Sequence, residues 1–216
     1  MTVESIIEAK DITKRFKAQT VLEQVSLTVK KGEICGLVGI NGSGKTVLLK
    51  ILCGFIFADE GSVYVNGKQI GKEIDFPEHT GVLIETPYFS PFSSGYQNLK
   101  SLASICKTVG DEEIRGAIKR VGLDPDDKKW VSRYSLGMRQ RLGIAQAIME
   151  DQDILILDEP MNGLDKQGVE DVRQLLKEMK EKGKTIVLAS HYPQDIDILC
   201  DKVYEVDGGK LVLMKS

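Results

Sequence analysis

The spacing of apolar residues divides the chain into strand-like segments near both ends and helical segments in the middle. Residues 5–12, 22–29 and 62–65 are short β-rich runs, and the turn-forming pair Asn66-Gly67 follows the third run. Such runs, separated by polar turns, are typical of strands that pair with their neighbours along the chain. They predict a small, largely antiparallel sheet in the first third of the sequence.

Three further runs are compact and apolar, and the last two are nearly all apolar, as expected of strands that helices cover on both faces. They comprise residues 33–38, 153–157 and 185–189. The first leads through a glycine-rich loop into an apolar helix at 46–53, and residues 167–182 between the other two have apolar positions at helical spacing. A strand, a helix and a second strand in this order predict a crossover unit in a mostly parallel sheet.

The middle of the chain contains only helical patterns. Between residues 98 and 149 no strong strand candidate is present, and helices are predicted with breaks at Gly110, at Asp124-Pro125 and before Ser135. This stretch is therefore predicted to be a separate helical subdomain.

The predicted fold class is α/β, in a single domain over residues 1–216. It combines a mostly parallel sheet with a small antiparallel β subdomain, both within residues 1–97 and 150–216, and with the helical subdomain at 98–149. A terminal hairpin within residues 204–212 is predicted to turn at Asp207-Gly208-Gly209.

Composition narrows the class of protein without identifying it. The 216 residues are 42% hydrophobic and 28% charged, with a net charge of -3, as in ordinary soluble globular proteins. The near-balanced charge argues against a general electrostatic hold on nucleic acid, which needs a clustered basic surface. Charged residues interrupt the N-terminal segment, and no apolar run reaches the roughly 18 residues of a membrane span. These features predict a cytoplasmic protein.

The cysteines do not indicate a metal site or a disulfide framework. Cys35, Cys53, Cys106 and Cys200 are far apart and lack the spacing of metal ligands. We expect buried free thiols.

A candidate phosphate-binding loop lies between the run at 33–38 and the helix at 46–53. It matches the pattern GxxxxGKS/T at every specified position. The residues expected to contact a nucleotide are Gly39, Asn41, Gly42, Ser43, Gly44, Lys45 and Thr46. Glycines let backbone N–H groups turn toward the phosphates, and the positive end of the following helix points at the same anion.

Two side chains of this loop carry specific expectations. Lys45 is predicted to reach the β- and γ-phosphates and to act in catalysis, and the Thr46 hydroxyl is predicted to ligate Mg²⁺. A glycine-rich turn without a ligand is the alternative. The strand before the loop and the helix after it favour nucleotide binding by a P-loop NTPase core, which the loop alone does not narrow to kinases, GTPases, helicases or ATPases.

Two acidic residues, Asp158 and Glu159, follow the apolar run at 153–157. The end of a buried parallel strand is beside the place where the phosphate loop must lie. Because unpaired carboxylates are unfavourable there, the pair indicates a cation or a proton to be handled. Asp158 is predicted to hold Mg²⁺ through water, and Glu159 to polarise the water that attacks the γ-phosphate. An acidic turn without a function is the alternative.

His191 follows the apolar run at 185–189, at the mouth of the next parallel strand. A histidine at this edge of the sheet is predicted to contact the γ-phosphate and to act in catalysis. A hydrogen-bonded structural histidine is the alternative.

A further segment separates this chain from other P-loop proteins. Residues 134–141, YSLGMRQR, resemble the signature segment of ABC ATPases, whose consensus is LSGGQ. Residues 162–165 resemble the family's D-loop, and His191 resembles its switch histidine. The phosphate loop, the signature, Asp158-Glu159 and these two features follow one another in the family's order over essentially the whole chain. The sequence therefore resembles the ATP-binding subunit of an ABC transporter.

The resemblance implies a head-to-tail dimer in which the signature of one protomer covers the ATP on the phosphate loop of the other. It places Ser135, Gly137 and Asp165 among the ATP-binding residues. Ser135 also suits a helix N-cap, and Gly137 would let a phosphate approach the helix closely; an ordinary capped helix is the alternative. Phe16 looks like the aromatic residue that stacks on adenine, although a core phenylalanine is the alternative.

One departure from the family pattern is informative. Residues 81–87, GVLIETP, occupy the place of the Q-loop, with Glu85 where glutamine is usual. A carboxylate still offers oxygen to Mg²⁺, but it adds a negative charge and loses an amide donor. Glu85 and the segment SGYQNL at 94–99 are similar to ATPases of lantibiotic- and bacitracin-type export and self-protection systems. The signature differs from its consensus at Leu136 and Met138, as in that subgroup.

The predicted function is ATP binding and hydrolysis that energises transport through a separate membrane permease, in export or self-protection against a peptide antibiotic. The resemblance implies ATP and Mg²⁺ as ligands, a second copy or a paralogous ATPase subunit as partner, and a peripheral location on the inner face of the cell membrane. A soluble ABC ATPase of DNA repair or translation is the alternative. Such proteins carry long coiled-coil insertions or tandem cassettes, and this chain has neither. A P-loop kinase has no place for the signature or the acidic pair.

Overall fold

The β-rich segments form two sheets in the computed structural model, which describes residues 5–17 and 19–215. The strands are β1 (Ser5–Phe16), β2 (Gln19–Lys30), β3 (Ile34–Val38), β4 (Glu60–Val65), β5 (Lys68–Gln69), β6 (Thr80–Leu83), β7 (Ile154–Asp158), β8 (Thr185–Ala189), β9 (Lys202–Asp207) and β10 (Lys210–Lys215). The helices are α1 (Lys45–Leu52), α2 (Gly95–Cys106), α3 (Asp111–Arg120), α4 (Leu136–Ile148), α5 (Lys166–Glu181) and α6 (Pro193–Leu199), with a 3₁₀ turn at Val131–Arg133. Residues 1–4, part of the charged N-terminal segment that contributed to the prediction of a cytoplasmic protein, lie outside the described residues.

The predicted antiparallel sheet is confirmed, with strand order β2-β1-β4-β5. β1 is longer than predicted, since it continues past Ile12 to Phe16. Asp11 has a positive φ of 52°, and the pairing of β1 with β2 shifts register between Ala9 and Ile12. This bulge breaks the alternation of apolar and polar residues, and the strand predicted from that alternation therefore stopped at residue 12.

The larger sheet has the order β10-β9-β3-β8-β7-β6. β9, β3, β8, β7 and β6 are mutually parallel, and β10 returns antiparallel to β9 as the predicted terminal hairpin. The predicted crossover is confirmed, because β7 and β8 are parallel neighbours joined through α5. Parallel strands end at one edge, so the residues after β3, β6, β7 and β8 are brought together.

The larger sheet separates two hydrophobic cores. Along β7, Ile154 and Ile156 belong to a core shared with α1 and the antiparallel sheet. Leu155 and Leu157 point the other way, into a core shared with α2 to α5. Alternate residues of one strand thus hold a layer on each side, as expected of a strand covered on both faces.

Helices occupy the middle of the chain as predicted, in α2, α3 and α4. α2 begins at Gly95, three residues before the predicted start, because Ser94 and Gln97 form a capping box: the Ser94 hydroxyl accepts from the Gln97 backbone N–H, and the Gln97 side chain accepts from the Ser94 N–H. Among the helices of the described residues, none has the length and apolarity needed to cross a bilayer.

The prediction of four buried thiols is wrong at one position. Cys35, Cys53 and Cys200 are buried, whereas Cys106 is exposed at the end of α2. All four are free. Burial raises the pKa of the Cys53 and Cys200 thiols to about 12, which keeps both protonated at neutral pH.

Candidate nucleotide-binding site

The phosphate loop joins the end of β3 to the start of α1. Gly44 precedes α1 with a φ of 111° and provides no side-chain cap, so the first backbone N–H groups of the helix remain available to an anion. A Cβ atom on Gly39 would lie 2.4 Å from the Val206 carbonyl oxygen. The Lys45 Nζ donates to the carbonyls of Gly39 at 2.7 Å and Ile40 at 3.1 Å, which places the ammonium group inside the loop.

A cleft of about 330 Å³ opens in front of this loop. Most of the predicted phosphate and metal residues line it: Asn41, Gly42, Gly44, Lys45, Thr46, Glu85, Asp158 and Glu159. They come from the ends of β3, β6 and β7 and from the start of α1, as the parallel sheet requires. The structure therefore brings together side chains that are more than a hundred residues apart in sequence.

Asp158 ends β7 and is buried. Its Oδ2 accepts a hydrogen bond from the Thr46 Oγ1 at 2.6 Å, while its buried Oδ1 has no hydrogen-bond partner among the described residues. Burial raises the pKa of the Asp158 carboxyl; the hydrogen bond from Thr46 partly offsets this, and the negative charges of Glu159 and Glu85 add to it. A buried carboxylate with a free oxygen suits a cation ligand.

Glu159 follows Asp158 in an uncommon backbone conformation, with a φ of 49°. Its Oε2 lies 2.8 Å from the His191 Nδ1. Because an ionised carboxylate can only accept, this contact is a hydrogen bond in the tautomer that carries the proton on Nδ1. The other oxygen, Oε1, is buried and unpartnered among the described residues. His191 itself lies on the far side of the loop, in a second cleft with Gly39, Ile40 and Asn41.

Gln140 lies in the signature segment 134–141, but no role in this site was predicted for it from the sequence. It projects from α4 into the cleft, is buried, and donates from Nε2 to the Glu159 carbonyl oxygen at 3.0 Å. The same carbonyl accepts from the Asn162 backbone N–H at 3.0 Å, and the Glu159 N–H donates to the Ala189 carbonyl at 2.9 Å. These contacts fix the backbone of Glu159 against α4 and β8.

Glu85 lies just after β6 and forms an ion pair that the sequence did not predict. Its Oε1 is 2.7 Å from the Nζ of Lys50, in the last turn of α1. Glu85 also has a positive φ, 58°. The residue expected to offer oxygen to Mg²⁺ thus has a cationic partner of its own.

Ser135 and Gly137 do not line the cleft of their own chain, although Leu136 and Gln140 of the same signature segment do. The Ser135 Oγ accepts from the Met138 N–H at 3.1 Å, which confirms the predicted N-cap of α4. A Cβ on Gly137 would lie 3.0 Å from the Gly163 carbonyl oxygen. Asp165 caps α5, with its Oδ1 accepting from the Gly168 N–H at 2.9 Å.

Phe16 does not line the cleft either, although it is not a core residue. It ends β1 opposite Gln19, at the hairpin to β2, and 46% of it is exposed. The Lys14 Nζ lies 5.3 Å from its ring centroid. The alternative of a core phenylalanine is thereby excluded, and an exposed aromatic face remains available for stacking.

A glycine-rich loop between β3 and α1, facing two carboxylates at the end of β7, defines a P-loop ATPase. The sequence profile of the ABC transporter family matches residues 22–162, more than half of the chain. The chain belongs to this family and is the ATP-binding and ATP-hydrolysing subunit of an ABC transporter.

Curated relatives agree with this assignment. An uncharacterized ABC transporter ATP-binding protein of Bacillus subtilis (strain 168), YybJ, is 46% identical, over 95% of this chain and 94% of its own length. The bacitracin transport ATP-binding protein BcrA of Enterococcus faecalis is 39% identical, over 98% of this chain and 70% of its own length. The lantibiotic transport ATP-binding protein SrtF of Streptococcus pyogenes is 32% identical, over 98% of this chain and 91% of its own length.

A dimeric structure of the ATP-binding cassette MJ0796 in a post-hydrolysis state, bound to ADP and Pi, superposes with a TM-score of 0.87. It covers 97% of this chain and 98% of that chain at 24% identity. This likeness shows that the two chains share the fold.

Proposed function

We propose that this chain drives a transporter for export of, or self-protection against, a peptide antibiotic, by hydrolysing ATP for a separate membrane permease. The observation that carries the ATPase part is the free, buried Oε1 of Glu159 in a cleft shared with the phosphate loop. The antibiotic part is supported by the similarity to proteins named for bacitracin and lantibiotic transport. Glu85, in place of the usual glutamine, supports the same subgroup.

The residues present fit a Mg²⁺ ion that arrives with the nucleotide. The Asp158 Oδ1 is buried and has no partner within residues 5–17 and 19–215, and the Thr46 hydroxyl lies within hydrogen-bond distance of the same carboxylate. Asp158, Thr46 and Glu85 would hold the ion, which would neutralise charge on the β- and γ-phosphates when bound. Oxygen ligands of this kind suit Mg²⁺.

Glu159 and His191 have complementary roles in the proposed reaction. The Glu159 Oε1 accepts a proton from the attacking water, whose oxygen bonds to the γ-phosphorus while the bond to the bridging oxygen of ADP breaks. His191 holds the second carboxylate oxygen, which orients Glu159, and its proposed second role is to contact the γ-phosphate. The Lys45 ammonium stabilises the β- and γ-phosphates, and Phe16 stacks on the adenine.

The proposed active unit is a head-to-tail dimer, with a second copy or a paralogous ATPase subunit. Ser135, Gly137 and Asp165 contribute to no part of the cleft on their own chain, which supports their acting on the ATP of the partner. The start of α4 offers the partner's phosphates backbone N–H groups near a positive helix end. Closure of the dimer by ATP and its reopening after hydrolysis would supply the motion.

The cleft beside Glu85 and the helical segment is the proposed contact with the permease, which would hold the chain at the inner face of the membrane. Tyr88 and Phe92, which follow Glu85, are 92% and 70% exposed, and Phe92 packs edge-to-face on Trp130. Exposed aromatic side chains of this kind are common at protein interfaces.

Isolation of the protein from native membranes tests the proposed function. We expect an integral membrane subunit to co-purify, and cells that express both subunits to survive a higher concentration of bacitracin or of a lantibiotic than cells with the Lys45→Ala variant. Recovery of ribosomes or DNA without a membrane protein would overturn the transporter assignment. Co-purification of a permease without any protection would contradict only the antibiotic assignment.

A further inference from the structure

We propose that Lys50 is a positioning residue that holds Glu85 and cancels its charge at the nucleotide site. The inference rests on the proposed function, since it concerns ATP binding in the same cleft. It assigns a role to a residue that does not line that cleft.

Among the described residues, Lys50 contacts one of the two carboxylate oxygens of Glu85, and the other oxygen has no partner. The Lys50 Nζ is 2.7 Å from the Glu85 Oε1, and the Oε2 has no hydrogen bond among the described residues. The lysine side chain is 27% exposed and the glutamate side chain 62%, so the partly packed lysine stem holds the more exposed carboxylate. Lys50 lies near the C-terminal end of α1, where a cation is favoured by the helix dipole.

The net charge of the cleft explains why the Lys50–Glu85 pair matters. The charged side chains that line the cleft are three acids, Glu85, Asp158 and Glu159, and one base, Lys45. Including Lys50, the sum is three negative and two positive charges, a net of -1. With glutamine at position 85 and no Lys50, two negative and one positive charge give the same net of -1.

Without Lys50, Glu85 would bring an unpaired and only partly screened negative charge to the cleft that receives MgATP. Its field reaches the end of β7, because Glu85 is one of the charges felt by Asp158. Lys50 therefore lets a carboxylate occupy the usual glutamine position without adding repulsion to the site. Since Lys50 acts through Glu85, its importance depends on the residue at position 85.

A double-mutant cycle tests this dependence. The four proteins are the parent, Lys50→Gln, Glu85→Gln and the double variant; equilibrium binding of MgATP gives Kd, and the ATPase assay gives KM and kcat. We expect Lys50→Gln to raise Kd and KM roughly two- to fivefold, the range of an exposed ion pair. In the Glu85→Gln background the same change should have no effect.

Two controls separate electrostatic positioning from simple loss of structure. Lys50→Arg keeps the charge and should retain parental binding, and Lys182→Gln removes a charge from the surface beyond α5 and should behave as the parent. The effect of Lys50→Gln should also shrink in high salt, because salt screens exposed charges.

Either of two results would overturn the proposal. If Lys50→Gln weakens MgATP binding equally in both backgrounds, Lys50 acts on the nucleotide or the fold without Glu85. If it changes binding in neither background, the ion pair has no role. A parent protein that binds MgATP without hydrolysing it would contradict the proposed ATPase reaction, while the binding cycle would still decide the role of Lys50.

Discussion

Asp158 and Glu159 are adjacent carboxylates that lie in different environments. Asp158 completes β7 and is bonded by Thr46, whereas Glu159 has a positive φ and its side chain contacts His191 beyond β8. Burial raises the pKa of Asp158. Two acids in different surroundings can take different chemical roles, here metal holding and proton acceptance.

We predict that Glu159→Gln abolishes hydrolysis and leaves ATP binding intact. The amide keeps the size of the side chain but cannot accept the proton of the attacking water, so kcat should fall by roughly 100-fold or more. With MgATP the variant should accumulate as a stable dimer, which size-exclusion chromatography with light scattering would detect.

Glu181→Gln is the matched control for this experiment, because Glu181 is an exposed residue at the end of α5. It should hydrolyse ATP at the parental rate. Parental turnover by Glu159→Gln would show that another group accepts the proton.

The pairwise contacts of the site could not be predicted from the sequence. The phosphate loop and the acidic pair were found because each has a fixed local pattern in a recognisable context. The Lys50–Glu85 and Gln140–Glu159 contacts join residues on separate elements, and no spacing rule relates them. They depend on tertiary packing and on positive φ angles that glutamate seldom adopts.

At the scale of elements, the start of α2 shows how a short polar motif fixes a helix boundary. Ser94 is buried, bonds reciprocally with Gln97, and pairs through an isolated β-bridge with Trp130 next to the 3₁₀ turn. The capping box therefore ties the first helix of the middle segment to the turn that precedes α4.

Ser94→Ala is predicted to lower the free energy of unfolding by about 1 kcal/mol, the usual effect of losing an N-cap oxygen. Denaturant unfolding followed by circular dichroism would measure it. Ser104→Ala, on the exposed side of the same helix, should change stability by less than about 0.5 kcal/mol. Equal losses in the two variants would contradict a special role for the cap.

The elements themselves were predictable where one pattern dominated. β7, α5 and β8 followed from apolar runs and helical spacing, because strands covered on both faces contain few polar residues. β6, with only four residues, gives too short a pattern, and the bulge at Asp11 concealed the second half of β1. The start of α2 was misplaced although Ser94 and Gln97 have the spacing of a capping box.

At the scale of the whole molecule, the phosphate loop and the signature serve different nucleotides in the proposed dimer. Ser135, at the start of α4, caps its own helix and lies outside the cleft that contains Lys45. One protomer would therefore supply half of each of two sites, and neither half would suffice alone.

Mixing two inactive variants is predicted to restore activity. Lys45→Ala disables the phosphate loop, and Ser135→Asp retains an N-cap while placing a negative charge against the partner's phosphate. At equal mixing half of the dimers are heterodimers with one intact site of two, so roughly a quarter of the parental ATPase rate should return. No recovery, despite heterodimers detected by a tag on one variant, would contradict the head-to-tail arrangement.

The left-handed backbone conformation at Glu159 lowers the stability of the fold, whereas the proposed reaction needs the glutamate side chain at this position. A non-glycine residue in this conformation carries a conformational penalty of order 1 kcal/mol or more, which glycine would avoid and asparagine would reduce. A mutant library selected only for heat resistance should therefore enrich glycine or asparagine at this position. The selected proteins would be more stable than the parent but inactive.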